Sequence, residues 1–374
     1  MVDILFVFIV LLVAHYSYLM ISINWGIVNL YRKRQAGEKQ VRVSFSIIIA
    51  ARNEEKFIGQ LLDSISRLDY PPELYEVIII NDRSSDRTSE IIESYKTSVN
   101  RLQHLHQNEI SSGLSPKKSA LMKGIRAAVN EVIVTTDADC IVPSKWLETM
   151  SSYYSEKTDV VAGPVRFVDY PIFRLFMNLQ SLDFLSLVSM AAGAISLKKA
   201  VICSGANFSY RKSAFEKVGG YGGHLFIASG DDDLLLQNFA KNQLEINYAW
   251  STDAVVLTHP VEKFKGFIEQ RKRWGSKAAK YKGSSWTKHF YMIFLFYICL
   301  FSLLIASFFS INYAEFFLGI LVIKAIFELP IVFKVTRLVG RPFLILFYPL
   351  LQLFQVPYLV ISGLLANLGT YNWK

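Results

Sequence analysis

The chain has 374 residues, long enough for a large domain with additional segments, and its apolar share of 52% and mean hydropathy of +0.29 exclude an ordinary soluble enzyme. The net charge of +9 comes with no nucleic-acid-binding module, so it reads as basic residues beside an anionic membrane leaflet rather than as a nucleic-acid partner. Cys140, Cys203 and Cys299 are odd in number and widely spaced, with neither a disulfide framework nor zinc-ligand spacing, as expected in a reducing compartment.

The excess apolarity sits at the two ends. Residues 4–22, ILFVFIVLLVAHYSYLMIS, are long enough to span a bilayer as a helix. No basic segment precedes them, so a retained span is expected rather than a cleaved signal peptide. Arg32, Lys33 and Arg34 follow the run.

The middle of the chain alternates strands and helices. FSIIIAA (45–51) and EVIII (76–80) are continuous apolar runs of strand length, and RLQHLHQ is a weaker one. Phe57, Leu61, Leu62 and Ile65 have helical spacing. SSDRTSEIIESYK starts at a capping Ser or Asp, and SPKKSALMKGIRAAV is a helix with Pro116 near its start. EVIVTT is the next strand and ends in Asp137 and Asp139. This alternation implies a mostly parallel sheet covered by helices.

Two carboxylates one residue apart repel and raise each other's pKa. A solvated turn carries them cheaply, and a hard divalent cation also holds them. In such sheets ligands bind beyond the carboxyl ends of the strands. That rule puts ARNEE (51–55), NDRSSD (81–86) and DADC (137–140) along one edge, where three acid-bearing turns together point to a site.

Residues 169–197 are apolar but interrupted by Arg174, Gln180 and Asp183. A crossing there would put the turn at Asp137 and everything after it on opposite sides. An amphipathic helix at the membrane surface or under the site is expected instead. SGDDDLLLQ (229–237) has an acidic helix start as its plain reading. KFKGFIEQRKRWGSKAAKYKGSSWTK (263–288) is strongly basic.

Three further candidate spans close the chain: 290–310, 313–333 and 343–368, the last interrupted by Pro349 and Pro357. Lys324 and Glu328 lie at i,i+4 inside the second, a spacing that makes them a neutralising couple. Lys334, Arg337 and Arg341 follow that span, whereas INY, before it, has no basic residue. The positive-inside rule then places residues 31–289 inside and both termini outside. The expected division is 1–25 as an N-terminal transmembrane helix, 26–288 as a cytoplasmic domain with an interfacial helix near 171–197, and 289–374 as three transmembrane helices.

The ordered motifs of the middle region resemble family 2 glycosyltransferases of the GT-A fold, an α/β, Rossmann-like nucleotide-diphospho-sugar transferase. Membrane-bound members such as cellulose, chitin and hyaluronan synthases and their lipid-glycosylating relatives are the most similar. The motifs are SIIIAARNEE with Asn53 and Glu54, IIINDRSSDRTSE with Asp82, KKSALMKGI with Lys117, TTDADC, SGDDDLLLQ and QRKRW with Gln270, Arg273 and Trp274. Met122 stands where the family has Asn.

The resemblance implies donor-binding roles for Asn53, Glu54, Asp82, Lys117, Asp137, Gln270, Arg273 and Trp274. It implies Mg²⁺ or Mn²⁺ on Asp137 and Asp139, and an acceptor-side element at 203–221. Asp232 is the expected base, with Asp231 and Asp233 next in an ambiguous register. The implied reaction is a single inverting transfer from a nucleoside-diphosphate sugar, a UDP-sugar by family weight, to a lipid-linked or glycan acceptor. The implied location is the cell membrane, multi-pass, with the catalytic domain in the cytoplasm. Polymer synthesis is the alternative activity, and a non-catalytic partner of a membrane synthase is a third reading.

Overall fold

The computed structural model describes residues 2–35, 41–109, 114–222, 225–227, 230–278 and 286–366. Ser229 and part of the basic segment before residue 286 lie outside these. The chain divides into two units. Among the described residues, one comprises Leu30–Val168 and Ala194–His259; the other comprises the helical start up to Asn29, Asp169–Gly193 and residues 260–366.

The first unit carries a seven-stranded sheet. Its strands are β1 (Phe45–Ala51), β2 (Tyr75–Asn81), β3 (Leu102–His106), β4 (Val132–Thr135), β5 (Val160–Ala162), β7 (Phe208–Arg211) and β8 (Ile246–Tyr248). The order is β3-β2-β1-β4-β7-β5-β8, with β6 (Val165–Phe167) and β9 (Val256–Thr258) paired separately. β1 runs parallel to β2 and β4, and β2 parallel to β3. β7 is antiparallel to both β4 and β5.

Every residue of β1, β2 and β4 is buried, which is why these strands read as unbroken apolar runs. Each buried Ile or Val there contributes roughly 2 kcal/mol of hydrophobic stabilisation. The covering helices are α2 (Ile58–Ile65), α3 (Thr88–Ser94), α4 (Pro116–Ala127), α5 (Trp146–Ser151), α7 (Lys212–Lys217) and α8 (Asp233–Lys241). Gly124 lets α4 lie flat on the sheet: a Cβ there would come within 2.6 Å of Ile80 and 2.7 Å of Ile48. The cap of α3 departs from expectation. Its N-cap position is Arg87, and Asp86, one residue earlier, accepts from the Thr88 N–H at 3.0 Å.

The second unit holds most of α1 (Val2–Gln35) and α6 (Leu175–Ser196), together with α9 (Phe264–Ala278), α10 (Trp286–Ala306), α11 (Ile311–Leu338) and α12 (Tyr348–Leu365). A 3₁₀ turn at Pro342–Phe347 replaces the first turn and a half of the span expected from residue 343. Pro349 sits at the start of α12 and Pro357 inside it.

The expected amphipathic helix is corrected by α6. Its most apolar window is 67% buried, against 22–39% for the other long apolar helices. Its polar side chains Asn178, Gln180, Asp183 and Ser189 are buried rather than turned to water, because each finds a partner inside the protein. β4 and β5, before α6, hydrogen-bond to β7 and β8, after it, within one sheet. A single crossing by α6 would separate strands that are paired.

Candidate active site

The register aligns Ala51 with Asn81 and Ile48 with Thr135, so the three acid-bearing turns leave the sheet at the same edge. The first two are stitched together. Asn53 adopts φ 54° and Arg83 φ 53°, left-handed conformations that asparagine tolerates better than most residues. Asn53 Oδ1 accepts from the Ser85 N–H at 2.9 Å, and the Asn53 N–H donates to Ser84 Oγ at 3.0 Å. The Glu54 N–H donates to Thr88 Oγ1 at 2.8 Å, and the Glu54 carbonyl starts the turn into α2. These two residues thus brace the loop.

Asp82 is fully buried and accepts from Arg83 Nε at 2.8 Å and Gln107 Nε2 at 3.0 Å. A buried carboxylate held this way has a fixed orientation.

Lys117 lies in the first turn of α4. Its ammonium is 2.9 Å from Asp137 Oδ1 and 3.0 Å from Asp231 Oδ2. Burial works against its charge, but Asp137, Asp231 and Asp232 outweigh it and hold the lysine pKa well above its ordinary value.

The acidic triplet divides by position. Thr135 Oγ1 donates to the Gly205 carbonyl at 2.7 Å, tying the end of β4 to the 203–207 loop. The Gly205 N–H donates to Asp232 Oδ2 at 3.0 Å. Asp232 is also the N-cap of α8, accepting from the Asp233 N–H at 2.7 Å, so the helix-start reading is realised. Asp233 is 6% exposed and accepts from the Cys203 N–H at 3.0 Å. Gly230, with φ 79°, makes the turn into the triplet in a conformation that favours glycine.

Asp137, Asp139 and Cys140 present ligand atoms within 4.8 Å of one another. Two carboxylates suit a hard cation. Burial together with Asp139 and Asp137 pushes the Cys140 thiol pKa well up. The Lys117 ammonium on Asp137 is a cation that the chain itself supplies where a metal would sit. His259 also belongs here and was not among the residues read from the sequence. Its Nε2 is buried with no hydrogen-bond partner, its ring lies 4.4 Å from that of Phe57, and burial lowers its pKa against the pull of Asp139. Imidazole is a common metal ligand, and His259 lies near enough to Asp139 to feel its charge, although its ring nitrogens are not among the ligand atoms that Asp137, Asp139 and Cys140 bring together. The signal for it was a histidine directly after β9. The residues present fit a divalent cation.

Asn53, Glu54, Asp82, Lys117, Asp137, Asp139, Asp231 and Asp232 therefore share the sheet-bearing unit. Gln270, Arg273 and Trp274 lie on α9 in the other unit. There Trp274 packs 5.9 Å from Phe184, under the guanidinium of Arg271 at 4.2 Å, and Gln270 Oε1 is buried without a hydrogen-bond partner.

The model of glycosyl transferase family 2 matches residues 46–219. A probable glycosyltransferase, YdaM, of Bacillus subtilis (strain 168) is 27% identical over 311 residues, 79% of this chain and 68% of that protein. Poly-beta-1,6-N-acetyl-D-glucosamine synthase of Staphylococcus epidermidis is 28% identical over 248 residues, 63% of this chain and 55% of the synthase. In three dimensions the chain resembles a mannosyltransferase of Pyrobaculum calidifontis, PcManGT, solved with GDP-Man and Mn²⁺. The TM-score is 0.58 at 16% identity, over 94% of this chain and 99% of that one, a likeness of fold. Residues 46–219 thus form a family 2 glycosyltransferase domain, and the sheet that carries it is of the GT-A type.

Proposed function

We propose that the chain is a membrane-bound, metal-dependent, inverting glycosyltransferase. It would move one sugar from a nucleoside-diphosphate sugar to a lipid or lipid-linked glycan acceptor at the cytoplasmic face. The observation that carries this reading is the convergence of Asp137, Lys117, Asp231 and Asp232 at one edge of the sheet, with Lys117 touching both Asp137 and Asp231.

In this reading Asp137 and Asp139 would hold Mg²⁺ or Mn²⁺, with His259 near Asp139. A cation bound there would supply positive charge to offset that of the departing diphosphate. Lys117 keeps a positive charge at the same place, and Asp82 receives the base. Arg273 grips the diphosphate and Trp274 stacks on a sugar. The acceptor hydroxyl attacks the anomeric carbon from the face opposite the leaving group. A carbon–oxygen bond forms there as the bond to the phosphate oxygen breaks, and Asp232 takes the hydroxyl proton. Asp232 is proposed for that role on the family resemblance, with Asp231 and Asp233 as the alternatives.

Uridine is the proposed nucleotide, on the family resemblance; guanosine is the alternative, since the mannosyltransferase of like fold was solved with GDP-Man. Transfer to a lipid acceptor is the proposed activity and polymer synthesis the second reading. The likeness to a polysaccharide synthase is what favours the second reading.

The test is nucleoside-diphosphate release by the detergent-purified chain, with a panel of UDP- and GDP-sugars, with and without each metal, and with membrane lipid extract. Asp232→Asn is the comparison: asparagine also caps helices and cannot act as the base, though its single oxygen keeps only one of the two bonds that Asp232 accepts from Gly205 and Asp233, so a thermal transition is recorded beside it. Metal-dependent release that falls about 10²–10⁴-fold in the variant is expected. Release unchanged in Asp232→Asn sinks the assignment of the base, and no release from any donor sinks the transferase reading.

A further inference from the structure

Within the helical unit, polar side chains from six helices form one continuous buried network. Lys324 of α11, 1% exposed, donates to Glu328 Oε2 at 2.9 Å, Gln352 Oε1 at 2.6 Å and Gln355 Oε1 at 3.1 Å. Glu328 also accepts from Tyr348 at 2.8 Å, from Gln352 Nε2 at 2.9 Å and from Tyr16 of α1. Gln355 Oε1 accepts from Tyr297 of α10 at 2.9 Å, and its Nε2 reaches Asp183 Oδ1 of α6 at 3.3 Å. Asp183 accepts a bond from Tyr358 and, at 2.6 Å, one from Arg271 Nη2 of α9.

The network ends on the Gln-x-x-Arg-Trp helix. Arg271 occupies an unassigned position of that motif and is 5% exposed. Its guanidinium lies 4.2 Å from the Trp274 ring centroid and 4.7 Å from that of Phe267. Nη2 alone is tied to a carboxylate, while Nε and Nη1 have no hydrogen-bond partner. Four charges are buried here, two of each sign. An ion pair of this kind is weak as a source of stability, because desolvation opposes the attraction, but it fixes geometry. A guanidinium clamped at one end and lying against an indole holds that indole in one orientation.

We infer that the buried Asp183–Arg271 pair, anchored through Gln355 and Tyr358 to the apolar helices, positions Trp274 for the sugar. Asp183 and Arg271 are positioning residues: neither touches substrate, and both act through the indole. The inference rests on the proposed role of Trp274. It adds that the apolar helices set the ring's orientation through a chain of polar side chains.

The experiment measures kcat and KM for the sugar donor with the full chain in detergent, for wild type, Asp183→Asn, Asp183→Glu, Arg271→Lys and Trp274→Ala. A thermal transition for each variant is recorded first. An ordering role acts on binding of the sugar, so Asp183→Asn and Arg271→Lys are expected to raise KM about tenfold with kcat little changed. Asp183→Glu is expected to recover most of that loss, and Trp274→Ala to show the same split.

A wild-type KM in Asp183→Asn, with KM raised in Trp274→Ala, overturns the positioning role and leaves the reading of Trp274 standing. A wild-type KM in Trp274→Ala overturns both. If Asp183→Asn fails to fold, Arg271→Lys decides, since it keeps the charge: a raised KM supports the inference and an unchanged KM overturns it. A wild type that turns over no donor removes the proposed activity and this inference with it.

Discussion

Lys117 binds both Asp137 and Asp231 with one ammonium, and in the proposed reaction it shares Asp137 with a divalent cation. Removing it leaves carboxylates facing one another with nothing to offset their repulsion. In Lys117→Met, Mn²⁺ should therefore raise the melting temperature more than it does in wild type, because the ion relieves a larger repulsion on binding the folded state. Equal shifts in the two proteins would show that lysine and metal do not share that carboxylate. At this scale the acids were legible: Asp137 and Asp139 end an apolar run, where charge is conspicuous. The pairing of Lys117 with Asp231 was not, because nothing in local spacing relates residues so far apart. His259 escaped for the same reason, its relation to Asp139 being visible only after folding.

At the scale of elements, the loop before β7 is held by one buried amide. Asn207 Oδ1 accepts from Trp146 Nε1 at 2.9 Å, and its Nδ2 donates to the carbonyls of Pro164 at 2.9 Å and Ala254 at 2.7 Å. A Cβ on Gly163 would come within 2.2 Å of the same amide, so the surroundings leave little room for another arrangement. Asn207→Leu leaves the Trp146 indole N–H and the Ala254 carbonyl buried and unpaired, while the Pro164 carbonyl keeps its bond from the Val256 N–H, a loss of about 2 kcal/mol or more. A melting temperature within a degree of wild type would contradict this.

The apolar helices follow the same logic. Lys324→Met alone strands Glu328 as an unpaired buried charge, at about 3–5 kcal/mol, whereas Lys324→Met with Glu328→Met removes both charges and should recover much of the loss. The yield of monodisperse protein from detergent measures both; equal yields from the single and double variants would argue against a neutralising couple. The i,i+4 spacing disclosed this pair beforehand, and the structure places its atoms 2.9 Å apart.

Over the whole molecule, five helices among the described residues are long and apolar enough to cross a membrane, α6 included. Hydropathy alone cannot separate α6 from the other four; the pairing of β4 with β7 and of β5 with β8 does. The proposed topology, in which α6 does not cross, puts the start of α11 at Asn312 outside and the sheet-bearing unit inside. A cysteine at Asn312 should react with an impermeant maleimide on intact cells, and one at exposed Glu73 only after lysis. The reverse pattern would overturn the orientation.

The sequence by itself determined the strand and helix alternation, the acid-bearing turns and the apolar ends, because periodicity, strand-end charges and hydropathy are local properties of the chain. Tertiary structure alone decided that β7 runs antiparallel between β4 and β5, that α6 buries its polar side chains, and that Lys117 meets Asp231. Each of these depends on contacts between distant segments, whose free energy is set by burial and pairing that no short window of residues contains.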